Sequence, residues 1–157
     1  MKNADCPLRV GIVGCGSFGR GAYAYNVVDS PDASVAALCD LDEARAEALS
    51  RELSVARELP SCPRTYTDYR QMIKQESLDI VMVATMADIR PGVTIAALNS
   101  GAHVLAAKPM AQSLAKAKEM LQVAEQTDRL LMIGYNFPSV DMFSPLEVEE
   151  DEPDGEL

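Results

Sequence analysis

Three glycines near the start of the chain have the spacing of a phosphate-binding turn. They lie in GCGSFG, residues 14–19, directly after the apolar run LRVGIV and at the start of a predicted helix over 17–28. In such a strand–turn–helix unit the first glycine permits the tight turn, the second lets the backbone approach a pyrophosphate, and the third allows close helix–strand packing. The N–H groups at the helix start also favour an anion. The predicted dinucleotide contacts at this turn are Gly14, Gly16, Ser17, Phe18 and Gly19.

An acidic residue stands where such a turn needs a ribose partner. Asp40 ends the second apolar run, SVAALC, and comes 21 residues after Gly19. A carboxylate at this place is expected to accept hydrogen bonds from a ribose hydroxyl and to repel the 2′-phosphate of NADP. The sequence therefore predicts NAD as the cofactor, with NADP less favoured.

Structural explanations exist for each part of this pattern. The glycines could form an ordinary turn, and Asp40 could be the N-cap of the predicted helix over 41–53. Arg45, one turn into that helix, could reach a phosphate, but its position between Glu43 and Glu47 favours a solvated helix face. The coincidence of strand, glycines, helix, second strand and acid favours nucleotide binding.

The rest of the chain alternates apolar runs with helical patterns. Further helices are predicted from Asp68 as a cap, over 90–99 and over 113–127. The predicted strands are 8–13, 34–39, 64–66, 79–85, 102–106 and 130–134. This alternation predicts an α/β fold, a doubly wound parallel sheet of about six strands in a single Rossmann domain. We expect a dinucleotide-binding domain over 1–136 and an irregular segment with an acidic disordered tail over 137–157.

Composition narrows the class of protein. The net charge of −10 is concentrated at the C-terminus, because seven of the 24 acids lie in the last eleven residues; without them 17 acids face 14 bases. A mildly acidic body disfavours nucleic acid and anionic membranes as partners. No run of about 20 apolar residues and no signal peptide pattern occurs. The four cysteines lack a CxxC pair and only one histidine is present, so we expect no metal site, reduced thiols and a cytoplasmic location.

With these motifs the chain resembles the N-terminal half of the Gfo/Idh/MocA oxidoreductases. The resemblance runs from about Leu8 to Asn136. It is carried by VGIVGCGSFGR, AALCDLDEARAEAL, DIVMVAT and GAHVLAAKPMAQSLAKAKEM, which begin at residues 10, 36, 79 and 101. The resemblance implies an NAD(P)-dependent oxidoreductase, because full-length members of this family transfer hydride to or from a sugar, polyol or similar hydroxyl substrate.

The resemblance also implies two further site residues. The family usually has Glu-Lys-Pro after the fifth strand, with the lysine beside the nicotinamide and substrate, and here the segment is Ala107, Lys108, Pro109. Lys108 is therefore the expected catalytic residue and a cofactor contact, and a partly buried lysine would suit proton transfer. Thr85, which ends DIVMVAT, is the other implied cofactor contact. An exposed turn lysine is the structural alternative.

Several departures limit what the resemblance implies. Ala107 replaces the family's acid, Met86 replaces a frequent proline, and Arg90 stands where histidine is common. The family's second domain supplies the catalytic histidine and most substrate contacts, and the residues after Asn136 are too few to encode it. We therefore leave open whether the chain alone is an enzyme.

Three hypotheses follow. The chain could be the cofactor half of an oxidoreductase, completed by a homo-oligomer or partner chain that covers its exposed apolar face. It could be a non-catalytic, nucleotide-responsive regulatory or interaction protein. A methyltransferase-like domain is the third hypothesis, which the glycine spacing and the AKP segment disfavour.

Overall fold

The computed structural model describes residues 7–56 and 61–134. The irregular segment and acidic tail predicted for 137–157 lie outside the described residues.

Six strands form one parallel sheet, which confirms the predicted doubly wound fold. They are β1 (Leu8–Val13), β2 (Ala33–Cys39), β3 (Arg64–Tyr66), β4 (Ile80–Val83), β5 (His103–Ala107) and β6 (Leu131–Gly134). Their order in the sheet is β3-β2-β1-β4-β5-β6. The chain adds strands on one side of β1 up to β3 and then on the other side from β4 onward, so the strand order reverses between β1 and β4. Ligands of such sheets bind in the crevice at this switch point.

Helices connect the strands. Helix α1 begins with the π-helical segment Gly19–Ala24 and continues as the α-helical turn Tyr25–Val28; the others are α2 (Glu43–Ala56), α3 (Tyr69–Gln75), α4 (Arg90–Asn99) and α5 (Leu114–Thr127). The predicted cap Asp68 is present, and its side chain accepts from the Arg70 N–H; Ser113, predicted as the first residue of the last helix, is instead its cap and accepts from the Lys116 N–H. Each cap satisfies an N–H group that the first helical turn leaves unpaired.

The helices bury their apolar residues on opposite faces of the sheet. Val27 of α1 and Leu49 and Leu53 of α2 pack on one face with Ile12. On the other face, Met72 of α3, Val93 and Leu98 of α4 and Ala124 of α5 pack against Val81, Val83 and Val104. Because strands β1, β4 and β5 are covered on both sides, they lack polar alternation and are apolar apart from Arg9 and His103 near the starts of β1 and β5.

None of the helices in the described ranges is long and apolar enough to cross a membrane.

Candidate dinucleotide site at the switch point

A cleft of about 610 Å³ lies at the carboxyl ends of β1, β2 and β4. The cleft is at the switch point, where the sequence predicts the phosphate-binding glycine turn. Of the predicted site residues, Gly14, Gly16, Asp40 and Thr85 line this cleft. Ser17, Phe18, Gly19 and Lys108 are not among its described lining residues. The first three open α1 beside the cleft, and Lys108 lies in the turn after β5.

Two of the three glycines are required by the fold. Gly14 has φ +97°, a conformation that L side chains rarely adopt, and a Cβ there would be 2.8 Å from the carbonyl carbon of Ala84. A Cβ on Gly19 would be 1.9 Å from the carbonyl oxygen of Gly14. The closest approach at Gly19 is therefore to the turn itself, and the same Cβ would also be 3.2 Å from the Cβ of Ala84, directly after β4, in keeping with the predicted close packing of helix and strand.

Gly16 is different, because the protein gives no steric reason for it. A Cβ built there meets no atom of the described structure within 4 Å, and the residue is exposed on the wall of the cleft. A side chain at this position would occupy open space that a pyrophosphate needs in order to approach the backbone. A glycine at this position is thus explained by a ligand in the cleft and not by the packing of the fold.

The Asp40 carboxylate is nearly buried and holds the glycine turn in place. One oxygen, Oδ2, accepts from the Cys15 N–H at 2.8 Å, and the other, Oδ1, accepts from the Asp42 N–H at 3.0 Å and from Arg45 Nη1 at 3.2 Å. Asp40 is 9% exposed. A carboxylate has about four acceptor positions, so three donors leave room for about one more, such as a ribose hydroxyl.

The structural alternative for Asp40 is wrong: it is not the cap of α2, because that helix begins at Glu43 and the Oδ1 of Asp42 accepts from the Arg45 N–H at 3.3 Å. Arg45 is exposed, as expected of a solvated helix face, but it also lines the cleft and bridges Asp40 and Asp42, with Nη2 3.3 Å from Asp42 Oδ2. The short, three-residue connection from Cys39 to Glu43 could have indicated that the first helical turn faces Asp40.

Burial keeps the thiols around the turn neutral. Cys15 and Cys39 are both buried, and burial, reinforced by the Asp40 carboxylate, raises the pKa of each to about 12. They are therefore protonated near neutral pH and poor nucleophiles. Cys62 is exposed, and all three are free thiols; Cys6 lies outside the described residues.

The segment that carries Lys108 differs from expectation. Lys108 is exposed, and its ammonium group has no ion pair or hydrogen bond with residues 7–56 or 61–134, so the expected partial burial is wrong for this chain. The turn around it is held from below by Arg90, which donates to the carbonyl oxygens of Pro109 and Thr85. In the sequence, Arg90 is distinguished only as a departure from the family pattern.

Thr85 also has a buried polar atom that lacks a hydrogen-bond partner among the described residues. Its Oγ1 is buried and makes no hydrogen bond within the described part of the chain, although the residue lines the cleft. A ligand amide or hydroxyl, or a water molecule, would satisfy it, because buried hydroxyls are rarely left unpaired.

Residues 8–135 match the model of an oxidoreductase family with an NAD-binding Rossmann fold, Gfo/Idh/MocA. D-apiose dehydrogenase from Paraburkholderia graminis is 32% identical over 127 residues, which cover 80% of this chain and 32% of that enzyme. The match favours the dehydrogenase hypothesis over the methyltransferase one.

Solved structures agree. The fold matches myo-inositol 2-dehydrogenase from Lactobacillus plantarum with a TM-score of 0.76 and 28% identity, covering 87% of this chain and 38% of that one. An oxidoreductase from Agrobacterium radiobacter, crystallised in complex with NAD+, L-tartaric acid and magnesium, matches with a TM-score of 0.73 and 26% identity, covering 84% and 36%. The chain thus spans about a third of the length of the relatives it matches.

Proposed function

We propose, because this chain belongs to the Gfo/Idh/MocA family of oxidoreductases, that it binds NAD in the switch-point cleft as the cofactor half of a dehydrogenase. The substrate class we propose is a sugar, polyol or similar hydroxyl compound. The observation that carries the proposal is Gly16, whose missing side chain leaves open space in the cleft beside Asp40 and has no structural explanation.

Different residues of the cleft would bind different parts of the cofactor. The turn and helix start, formed by Gly14, Gly16, Ser17, Phe18 and Gly19, would hold the pyrophosphate through backbone N–H groups. Asp40 would accept from the adenosine ribose, while Thr85 and Lys108 would lie on the nicotinamide side. When bound, NAD supplies the hydride chemistry, and the protein must orient the cofactor and exclude water.

Lys108 is the proposed catalytic residue of this half. Its exposed ammonium group lies in the turn after β5, beside the loop that contains Thr85, and is free to meet a substrate. Substrate contacts and closure of the site would come from protein outside the described residues.

A second copy of this chain or a partner chain is our proposal for that closure. Large apolar side chains are exposed on α5 and around β6, namely Leu114 (71%), Leu121 (50%), Leu130 (73%) and Met132 (65%). Exposed apolar surface favours association. Sedimentation velocity tests this, and a chain that stays monomeric at high concentration contradicts it.

One observation favours the non-catalytic alternative, a nucleotide-responsive binding protein. Lys108 has no polar partner within the described ranges, so nothing there holds the amine ready for proton transfer. A sensor requires that its two states differ in affinity for the nucleotide. A change of oligomeric state on adding NADH would favour this alternative, and turnover of a polyol with NAD would exclude it.

For the compartment we propose the cytoplasm. The free thiols of Cys15, Cys39 and Cys62 support a reducing environment. Cysteines found oxidised in protein isolated without reductant would contradict it.

Asp40→Ala should weaken the preference for NADH over NADPH. Removing the carboxylate takes away the ribose acceptor and frees Arg45, now 3.2 Å from it, to meet a 2′-phosphate. We expect NADH affinity to fall roughly tenfold or more, since a hydrogen bond to a charged group contributes about 1.5–3 kcal/mol. NADPH affinity should fall less or rise, as measured by nicotinamide fluorescence titration.

Asp42→Ala is the matched control. It also removes a carboxylate from Arg45 but leaves the bond from the Cys15 N–H to Asp40 intact. Its NADH affinity should stay within about twofold of wild type. An unchanged preference for NADH over NADPH in Asp40→Ala would remove Asp40 from the ribose site.

A further inference from the structure

Arg90 is a buried cation next to the loop that contains Thr85, a residue of the cleft. It is the first residue of α4 and is only 4% exposed. Its guanidinium group donates from Nη1 to the carbonyl of Pro109 and from Nη2 to the carbonyl of Thr85. It therefore connects the loop after β4 with the turn after β5, two of the loops at the carboxyl edge of the sheet.

No carboxylate of the described residues forms an ion pair with Arg90. Within residues 7–56 and 61–134 Arg90 forms no ion pair, and its Nε has no hydrogen-bond partner. The acid nearest in sequence, Asp88, is exposed and accepts from the Ile89 N–H instead. Tyr23, the ionisable group that interacts with Arg90, has its pKa raised by burial and is therefore neutral.

Two further features increase the positive potential here. Arg90 stands at the N-terminus of α4, where the helix dipole is itself positive. Lys108 precedes Pro109, so a second cation lies in the same turn. Burial lowers the pKa of Arg90, yet a guanidinium group remains protonated in proteins.

The position of this charge matters because the two redox forms of the cofactor differ in charge. Asp40, at the end of β2, marks the adenosine side of the switch point, and the glycine turn after β1 marks the pyrophosphate. With these two parts bound there, the nicotinamide of an extended dinucleotide would lie toward β4 and β5, near Thr85 and the loops that Arg90 joins. The oxidised ring carries a positive charge and the reduced ring is neutral, so a fixed cation disfavours the oxidised form.

We infer that Arg90 determines the redox-state specificity of the site: its uncompensated charge makes the chain bind NADH more tightly than NAD+. This inference rests on the proposed function, because it requires that the cleft binds the dinucleotide. Arg90 acts through its field and through the loops it joins, so it is a positioning and specificity residue and not a catalytic one.

The test compares three ligands by calorimetric titration: NADH, NAD+ and ADP-ribose, which lacks the nicotinamide. We expect wild type to bind NADH about tenfold more tightly than NAD+, and Arg90→Gln to reduce this ratio to about threefold or less by improving NAD+ binding. Arg90→Lys keeps the charge and should keep the ratio. Affinity for ADP-ribose should be the same in all three proteins. This result would also show that the glycine turn and the cleft remain folded in the variants.

A second neutral variant protects the test against misfolding. Arg90→His has the residue common at this position in the family, and at pH 8 its imidazole should be neutral, so its ratio should match that of Arg90→Gln. If the folded neutral variants keep the wild-type ratio of NADH affinity to NAD+ affinity, the inference is wrong. It is also wrong if Arg90→Lys lowers this ratio as much as the neutral variants do. In both cases the proposed function stands. Absence of ADP-ribose binding to wild type would instead overturn the proposed function, and the inference with it.

Discussion

Gly16→Val should abolish dinucleotide binding and leave the fold intact. A Cβ at this position has no described atom within 4 Å, so the thermal midpoint should stay within a few degrees of wild type. The valine side chain would, however, fill the space in which the pyrophosphate must approach the backbone. Steric misfit of this kind costs about 3 kcal/mol, which corresponds to an affinity loss of roughly a hundredfold in an NADH titration.

Gly21→Val provides the matched control. Gly21 is also exposed, and a Cβ there also has no described atom within 4 Å, but it lies on α1 and does not line the cleft. Its NADH affinity should stay within about twofold of wild type. If Gly16→Val binds NADH as well as Gly21→Val does, the pyrophosphate does not pass over Gly16 and the proposed site is wrong.

The elements of this fold could be predicted because their signals are local. Strands Leu8–Val13 and Arg64–Tyr66 and helix Arg90–Asn99 have the predicted bounds. A buried parallel strand is a continuous apolar run, and turn residues mark its ends. The other predicted strand bounds differ by one or two residues, where pairing along the sheet decides the last residue.

Side-chain partners could be predicted less well, because they depend on how separate elements meet. The sequence placed Asp40 at the end of β2, but it could not show that the Cys15 N–H, the Asp42 N–H and Arg45 converge on one carboxylate. Those contacts need the distance between strand end, glycine turn and helix start.

Arg90 and Lys108 illustrate the same limit. Arg90 joins carbonyl groups 5 and 19 residues away, through a turn whose path no local pattern specifies. The exposure of Lys108 follows from that path as well. Burial was expected for Lys108 because the resemblance implies a complete site, whereas the described residues form only the Rossmann half.

Gly19→Ala should have the largest effect on stability of any substitution in the turn. The new Cβ would be 1.9 Å from the Gly14 carbonyl oxygen and 3.0 Å from its carbon, and both are backbone atoms that cannot rotate away. The turn or the start of α1 must shift, at a cost of about 3 kcal/mol in the free energy of unfolding. For a domain of this size the thermal midpoint should fall by roughly 10 °C.

Gly92→Ala separates this clash from the general effect of alanine in a helix. Gly92 lies in α4, and its Cβ would be 3.5 Å from the Tyr69 hydroxyl, an ordinary contact. Because alanine favours helix over glycine by up to about 1 kcal/mol, this variant should be neutral or more stable in urea unfolding. Equal midpoints for the two variants would mean that the turn yields easily. Gly19 would then, like Gly16, need a ligand to explain it.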